Sequence, residues 1–264
     1  MSDAFFVGAV GLQAQQKALD SIANNIANVN TPAFKRAQVR FSDIVATRTD
    51  PENAPAAAPN VANAAQASNM STGVMLDSQF MLDEQGQLNR TGQAMDIAID
   101  GHGFIELMGP GGQSLLWRGG TLKINDDGLL ASGRGFALRA TITVPRDATG
   151  ITIGSDGVVR ATMPGALGPE EVGQIQLVKL DDPNTVVRLD GGLYRVREDG
   201  PPLTDAAPGE DGTGLLVQGS IEQSNVALND EMVRLILVQR AYAANAQIVQ
   251  AADQLMAIAN GLRR

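Results

Sequence analysis

The fold of this chain is organised around one segment near its start, FFVGAVGLQAQQKALDSIANNIANV (residues 5–29). Its seam positions alternate in steps of three and four: Phe5, Gly8, Leu12, Gln15, Leu19, Ile22, Ile26 and Val29. Such spacing is typical of the a and d positions of a heptad, and it predicts a helix with one narrow apolar stripe. Because a small globular core covers a narrow stripe poorly, we expect this helix to pair with another helix.

The end of the chain supplies the expected partner, a helix over residues 226–260 that no proline interrupts. A seven-residue repeat runs through Leu228, Leu235, Tyr242, Val249 and Met256, and the stripe is widened by Val238, Ala241, Ile248, Ala252, Leu255 and Leu262. We expect Asn225 to cap this helix and Gly261 to end it. The chain is therefore predicted to be α+β, with terminal helices paired as a coiled-coil-like layer and a mostly antiparallel β domain inserted between them.

Changes in composition along the chain predict four parts. Residues 1–46 form an N-terminal helical segment that pairs with residues 222–264, the C-terminal helix. Between them lie an Ala/Pro/Asn-rich connecting segment, residues 47–72, and a β domain, residues 73–221. The connecting segment has almost no large apolar residue, so composition alone predicts a flexible linker.

Short alternating apolar runs bounded by Gly, Asp, Asn or Pro predict the strands of the β domain. They include residues 95–99, 142–144, 151–153 and 175–177. A weak repeat, strand then acidic turn with glycine then strand, recurs over residues 80–88, 122–130 and 151–159, and predicts three hairpins. The Gly-His-Gly-Phe run at residues 101–104 has no helix after it, so we do not interpret it as a nucleotide loop.

Composition excludes several functional classes. The net charge of −9 argues against nucleic-acid binding, and the absence of cysteine removes thiol chemistry and thiolate metal sites. A single histidine, His102, cannot build a histidine metal cluster. Adjacent carboxylates at residues 126–127, 170–171, 181–182 and 210–211 are interpreted as solvated turn charges. We predict no catalytic residue, no metal and no cofactor.

The first residues, MSDAFF, lack the basic region, apolar core and cleavage site of a secretory signal peptide. No apolar run is long enough to span a membrane. We therefore expect neither a cleaved signal peptide nor membrane insertion.

Three asparagines, Asn24, Asn25 and Asn28, lie close together on the first predicted helix. Asparagine is a poor helix former, and Glu or Lys would solvate a helix face at a lower cost in helix propensity. We therefore expect these amides to hydrogen-bond to backbone or to neighbouring chains; the alternative is a plain polar face.

Two motifs resemble a known family. The pattern Ala-Asn-Asn-x-Ala-Asn-x-x-Thr-Pro-x-Phe-Lys at residues 23–35 resembles the N-terminal signature of flagellar rod and hook proteins. Ser-Asn-Val at residues 224–226, Gln-Arg-Ala-Tyr at residues 239–242 and Asn245 resemble the family's C-terminal signature. One position departs from the pattern: Ala33 stands where the family usually has glycine, and a positive φ there would strain it. Length and order of parts most resemble the distal rod members.

The resemblance implies a structural subunit of the bacterial flagellar basal-body rod, which polymerises into a rigid hollow axial drive shaft and transmits torque from motor to hook. It implies contacts with copies of itself, other rod and hook subunits, the surrounding rings and the export apparatus, in the periplasmic basal body. The residues expected at subunit contacts are Leu12, Leu19, Ile22, Asn24, Asn25, Ile26, Asn28, Val29, Phe34, Asn225, Leu228, Leu235, Gln239, Arg240, Tyr242, Asn245, Val249 and Met256.

Other functions remain open from the sequence. Within the same family, the chain is also compatible with a proximal rod or hook subunit. A different class is an oligomeric β-domain carbohydrate-binding protein or enzyme, which predicts a cleft with convergent polar groups. Concentration-dependent polymerisation separates the two classes, because an enzyme should stop at a small oligomer.

Overall fold

The computed structural model describes residues 2–43, 74–166, 168–180, 185–189, 191–197 and 203–261. The predicted connecting segment 47–72, the carboxylate pair at residues 181–182 and the predicted stripe position Leu262 lie outside the described residues. The side chains of Phe5, Leu255 and Met256 also lie outside the description, although their backbones belong to described helices.

The chain forms two compact units. Unit 1 comprises Met1–Ser21, Gln38–Ser78 and Val233–Arg264, and unit 2 comprises Ile22–Ala37 and Gln79–Met232. Both terminal helices therefore contribute to each unit: their outer parts belong to unit 1, and the turns nearest the β strands belong to unit 2.

Two long helices lie at the ends of the chain, as predicted. Helix α1 spans Ser2–Ala27 and helix α2 spans Leu228–Gly261. Helix α1 ends just before the Asn-Thr-Pro run at residues 30–32, because a residue preceding proline is disfavoured in the α region. Among the described side chains of α1, the most deeply buried are Ala14, Ile22 and Asn25. The predicted seam positions Leu12, Gln15, Leu19 and Ile26 are half-buried.

Strands occupy most of the chain between the helices. In chain order they are β1 (Ala37–Asp43), β2 (Val74–Phe80), β3 (Leu88–Arg90), β4 (Asp96–Asp100), β5 (Phe104–Met108), β6 (Ser114–Trp117), β7 (Gly119–Ile124), β8 (Leu130–Ser132), β9 (Gly150–Ile153), β10 (Val158–Thr162), β11 (Glu170–Gln174), β12 (Leu177–Lys179), β13 (Val186–Arg188), β14 (Leu193–Val196), β15 (Thr204–Ala206), β16 (Leu215–Gln218) and β17 (Ser220–Glu222).

These strands pair into several small sheets. The larger sheets have the strand orders β13-β14-β6-β5-β12-β15 and β16-β4-β7-β8, the three-stranded sheet has the order β11-β10-β9, and two pairs are β1-β2 and β17-β3. Every pairing whose register is described is antiparallel. The α+β class with an antiparallel β domain is therefore confirmed.

The main core of unit 2 lies around strand β4. Ile97, Ala98 and Ile99 are all fully buried, so this strand is covered on both faces and does not alternate between core and solvent. Its register is set by Ile99 opposite Leu216 of β16 and by Ile97 opposite Gly120 of β7. A second cluster gathers around Tyr194, whose ring makes an edge contact with that of Phe104 at 5.6 Å between centroids.

The repeat predicted two hairpins correctly and one wrongly. Residues 122–130 connect β7 with β8, and residues 151–159 connect β9 with β10, each through a glycine of positive φ: Gly128 (78°) and Gly157 (84°). Residues 80–88 do not form a hairpin, because β2 pairs with β1 and β3 pairs with β17. A turn signal marks where a strand ends, but the partner strand is chosen by tertiary packing.

Two other strand predictions were also only partly correct. Ile142 and Val144 are buried as expected, yet this segment makes only an isolated bridge between Thr143 and Leu129. Ile175 precedes β12 and does not belong to it. The Gly-His-Gly-Phe run leads from β4 into β5, so a strand and not a helix follows it.

Candidate functional site

The two sequence signatures meet inside unit 2, and Asn25 is the first link between them. Its side chain is buried, and its Nδ2 donates to the Ala37 carbonyl at 2.9 Å while its Oδ1 accepts from the Ala37 N–H at 3.0 Å. The same Nδ2 donates to Glu231 Oε2 at 3.2 Å. One amide therefore holds the chain after the Thr-Pro turn against the end of α1 and reaches the first turn of α2.

The other two asparagines also bond within the chain. Asn28 Nδ2 donates to the Asn24 carbonyl at 2.8 Å, and Asn28 Oδ1 accepts from the Thr31 hydroxyl at 3.1 Å. Asn24, which is exposed, accepts at Oδ1 from Arg188 Nη2 at 3.1 Å. Within one chain these amides bond to backbone and side chains, and their role at subunit contacts stays a prediction.

Asn225 does not cap helix α2, contrary to the prediction. The helix begins at Leu228, and the Asn225 side chain turns to other segments. Its Oδ1 accepts from the Arg36 N–H at 2.7 Å, and its Nδ2 donates to the carbonyls of Met81 at 3.2 Å and Glu84 at 3.0 Å. Because backbone groups of two other segments compete for the amide, it ties those segments together instead of capping a helix.

A buried ionic cluster lies next to this asparagine. Lys35 Nζ lies 2.7 Å from Glu222 Oε1 and also donates to the Glu84 carbonyl at 2.7 Å. Arg118 Nε donates to Glu222 Oε2 at 3.2 Å, and the Gly86 N–H donates to Glu222 Oε1 at 2.9 Å. Burial lowers the pKa of Lys35, and the positive charge of Arg118 lowers it further, whereas Glu222 opposes both effects. The Glu222 carboxylate thus joins Lys35 of the N-terminal signature to Arg118 and Gly86 of the β domain.

A second buried carboxylate, Glu231, lies in the first turn of α2. Arg36 Nη1 is 3.8 Å from Glu231 Oε1, and Asn25 donates to its other oxygen. A carboxylate in the first turn of a helix is favoured by the helix dipole. Glu231 therefore stabilises the start of α2 and binds it to the N-terminal signature.

The turn between these groups has a strained residue. Ala33 has φ of 55°, in the left-handed region, which confirms that this position requires positive φ. Its N–H donates to the Glu222 carbonyl at 2.8 Å. The neighbouring Phe34 is buried, and the guanidinium of Arg188 stacks 3.9 Å above its ring centroid. The turn is thus held by packing and hydrogen bonds that outweigh the strain of an alanine in this conformation.

In unit 1, the two terminal helices touch at a pair of glycines. A Cβ added to Gly8 would lie 2.7 Å from Val249 Cγ2, and one added to Gly11 would lie 3.1 Å from Asn245 Nδ2. The position on α2 decreases as the position on α1 increases, so the two helices run antiparallel here. Each glycine leaves room that a side chain would fill.

Large apolar side chains remain exposed along α2. The largest exposed fractions belong to Ile248 (62%), Leu237 (60%) and Ile258 (60%), followed by Val233 and Ile236. Of the predicted stripe, Leu235, Val238, Val249 and Ala252 are half-buried, whereas Leu228, Ala241, Tyr242 and Ile248 are exposed. The helix therefore carries apolar surface on a side other than the one that meets α1.

The predicted contact residues are distributed as follows. Ile22, Asn25 and Phe34 are buried; Leu12, Leu19, Ile26, Asn28, Val29, Asn225, Leu235, Asn245 and Val249 are half-buried; Asn24, Leu228, Gln239, Arg240 and Tyr242 are exposed. The structure brings Asn25, Phe34 and Asn225 into one junction. Sequence reasoning missed Arg36, Arg118, Arg188, Glu222 and Glu231. Only Arg36, directly after the signature, had a positional signal.

The described residues carry no evident chemistry. Among them, no group of three or more His, Cys, Asp or Glu side chains is placed to hold a metal ion. A cleft beside His102 and Lys179 borders Arg118, but the guanidinium of Arg118 already donates to Glu222 and to the Gly101 and Gly103 carbonyls. In the part of the chain that the structure describes, no helix combines the length and hydropathy of a membrane span.

An α+β chain whose polar clusters bind its own segments, and whose last helix exposes apolar side chains, has the features of a structural subunit. Three family models match it: the flagella basal body rod protein model over residues 6–35, the flagellar hook protein FlgE/F/G D1 domain over residues 98–161, and the flagellar basal body rod FlgEFG protein C-terminal model over residues 217–262.

Full-length relatives agree with these matches. The chain is 34% identical to flagellar basal-body rod protein FlgG of Caulobacter vibrioides, with 97% of each chain covered, and 32% identical to FlgG of Bacillus subtilis over the whole of both chains. It is 31% identical to rod protein FlgF of Caulobacter vibrioides, covering 97% of this chain and 95% of that one. This chain belongs to the flagellar basal-body rod protein family and is a structural subunit of the basal-body rod. The family resemblance is therefore confirmed, and the relatives do not support the enzyme alternative.

Proposed function

We propose that this chain is the distal rod subunit, and that it polymerises into a rigid hollow axial shaft that transmits torque from the motor to the hook. The observation that carries the proposal is the exposed apolar surface of α2. Burying a Leu or Ile side chain fully contributes about 1.5–3 kcal/mol. Five such side chains, each half or more exposed in one chain, therefore supply several kcal/mol when a neighbouring copy covers them.

The helix contact in unit 1 supports a paired, coiled-coil-like layer of α1 and α2. Gly8 and Gly11 let the α2 backbone approach closely, opposite Val249 and Asn245. With that side of α2 turned to α1, residues such as Ile248 and Leu237 are left for other copies. We propose that these residues meet a different surface of the next copy. Such a heterologous contact generates a helical assembly when its rotation does not close into a ring.

The proposal extends to location, partners and domains. Neighbours along the shaft are other rod and hook subunits, and the basal-body rings surround it in the periplasm after export without signal-peptide cleavage. We propose four domains, residues 1–46, 47–72, 73–221 and 222–264. The proposed subunit contacts comprise the eighteen residues given above; among them, Leu228, Gln239, Arg240 and Tyr242 are exposed in the single chain and available to neighbours.

Substitution at Ile248 tests the proposal. Ile248→Asp places a charge where a neighbour is expected to cover apolar surface, so the critical concentration for polymerisation should rise at least tenfold. Ile248→Leu is the matched control and should polymerise like the wild type. Because Ile248 is exposed in the single chain, the thermal unfolding midpoint of the monomer should stay unchanged in both variants. Polymerisation of Ile248→Asp at the wild-type concentration would contradict the proposed interface.

A further inference from the structure

The turn over residues 31–36 combines two unfavourable features with several attachments. Ala33 holds a left-handed backbone conformation, which is unfavourable for a residue other than glycine. Lys35 is fully buried, and its ammonium has been removed from water. Both costs disappear if the turn moves out of its site, because Ala33 can then relax and Lys35 can be solvated.

When the turn leaves, Glu222 keeps its partners outside the turn, and Glu231 loses Arg36 but keeps the Asn25 amide. Glu222 retains Arg118, whose Nε and Nη2 both lie 3.2 Å from Oε2, and retains the Gly86 N–H at Oε1. Arg118 is fixed in turn by the carbonyls of Gly101 and Gly103, so its position does not depend on Lys35. Departure of Lys35 therefore leaves no unpaired buried carboxylate, which is the usual reason that breaking a buried ion pair is costly.

Besides the ion pairs of Lys35 with Glu222 and of Arg36 with Glu84 and Glu231, the turn is attached by hydrogen bonds and one ring contact. Four backbone N–H bonds depend on it: Ala33 N–H to the Glu222 carbonyl, Arg36 N–H to Asn225 Oδ1, Asn225 N–H to the Phe34 carbonyl, and Met81 N–H to the Arg36 carbonyl. The Phe34 ring under Arg188 is its main apolar anchor. Among the registers described, none places residues 31–36 in a strand ladder.

We infer that residues 31–36 form a latch, which opens as one unit while the sheets of unit 2 stay folded, and whose closed state fixes the end of α1 to the start of α2. This inference rests on the proposed function in one respect: we assign assembly competence to the closed latch, because only that state adds the Lys35–Glu222 and Arg36–Glu231 ion pairs to the bond between Asn25 and Glu231. The latch itself concerns the single chain.

Amide-resolved hydrogen exchange on the full-length monomer tests the latch. If the turn opens as a unit, the amides of Ala33, Arg36, Met81 and Asn225 share one opening equilibrium constant. That constant should exceed the constant for amides of strand β4 by at least 100-fold. Four unrelated constants, or a constant equal to that of β4, would overturn the latch.

Two variants test the physical cause. Ala33→Gly removes the strain but also a buried methyl group, and Ala161→Gly, in strand β10, removes a buried methyl group without positive φ. After the effect of the control on unfolding is subtracted, the latch-opening equilibrium constant of Ala33→Gly should be about 5–30-fold lower than that of the wild type. This factor is the strain at Ala33, converted at about 1.4 kcal/mol per tenfold. Equal losses in the two variants would contradict a strained latch.

Removing the apolar anchor tests the link to assembly. Phe34→Ala should raise the shared opening constant at least 100-fold, leave the β4 amides unchanged and abolish polymerisation. If the four amides respond and polymerisation persists, the link between latch and assembly is wrong, although the latch stands. Failure of the proposed function is seen separately, with Ile248→Asp, because that residue lies outside the latch and leaves its amides unaffected.

Discussion

Lys35 Nζ lies 2.7 Å from Glu222 Oε1, and each of these side chains is only 1% exposed. The two residues are 187 positions apart in sequence and belong to the segments that carry the two family signatures. Their pairing converts two separate terminal motifs into a single junction built on the β sheets. The junction explains why a motif close to the first helix contains a lysine that solvent does not reach.

The pair should respond asymmetrically to substitution. Glu222→Gln leaves Lys35 and Arg118 as two buried cations without a carboxylate, so we expect a loss of about 3–5 kcal/mol in the free energy of unfolding. Lys35→Met leaves Glu222 bound to Arg118 and Gly86, and should cost about 1–2 kcal/mol. Urea unfolding of both variants measures the difference, and equal losses would show that Arg118 does not compensate Glu222.

The buried amide of Asn25 should matter for the single chain, and that of Asn24 should not. Asn25→Ala leaves the Ala37 N–H and carbonyl without their partner and removes a donor from Glu231, so we expect a loss of at least 2 kcal/mol. Asn24→Ala removes an exposed group and should change stability by less than about 0.5 kcal/mol. The free energy of unfolding of each variant is measured by chemical unfolding of the monomer. Comparable losses of this free energy would show that the two amides have the same role.

The glycine contact in unit 1 should not accept a large side chain. Gly8→Leu must push Val249 away, because even the first added carbon would lie 2.7 Å from its Cγ2. Overpacking of this kind costs about 1–3 kcal/mol. Ala9→Leu, on the exposed neighbouring position, is the control and should leave the helices packed. The midpoint of helix melting, followed at 222 nm, distinguishes them, and an unchanged midpoint for Gly8→Leu would show that the contact is not tight.

Tyr194 should make stability fall in strong alkali. Burial raises the pKa of Tyr194 to about 12 from its ordinary value of 10.0. Below pH 10 the folded and unfolded states both keep the proton, so this group adds no pH dependence. Between pH 10 and 12 only the unfolded state loses it, and the free energy of unfolding should fall by up to roughly 3 kcal/mol. In a Tyr242→Phe variant, phenolate absorbance of the folded protein should therefore appear near pH 12; appearance near pH 10 would contradict the burial effect.

Local patterns in the sequence were sufficient for the elements and the family. The three-four spacing over residues 5–29 and the proline-free run to residue 260 predicted α1 and α2 to within a few residues, because helix formation depends on neighbours three or four positions apart. The turns at Gly128 and Gly157 were predictable because positive φ is a property of one residue and its immediate neighbours. The signature motifs identified the family for the same reason: they are short and contiguous.

Tertiary structure alone decided which segments meet. Nothing within residues 80–88 indicates that β3 pairs with β17 instead of β2, and nothing near Glu222 indicates that it receives Lys35 and Arg118. Such choices minimise unpaired polar groups and exposed apolar area over the whole chain, so no local window contains them. Two helices, many short strands and membership of the rod family follow from local patterns. The junction around Glu222 and Glu231 depends on residues that only folding brings together.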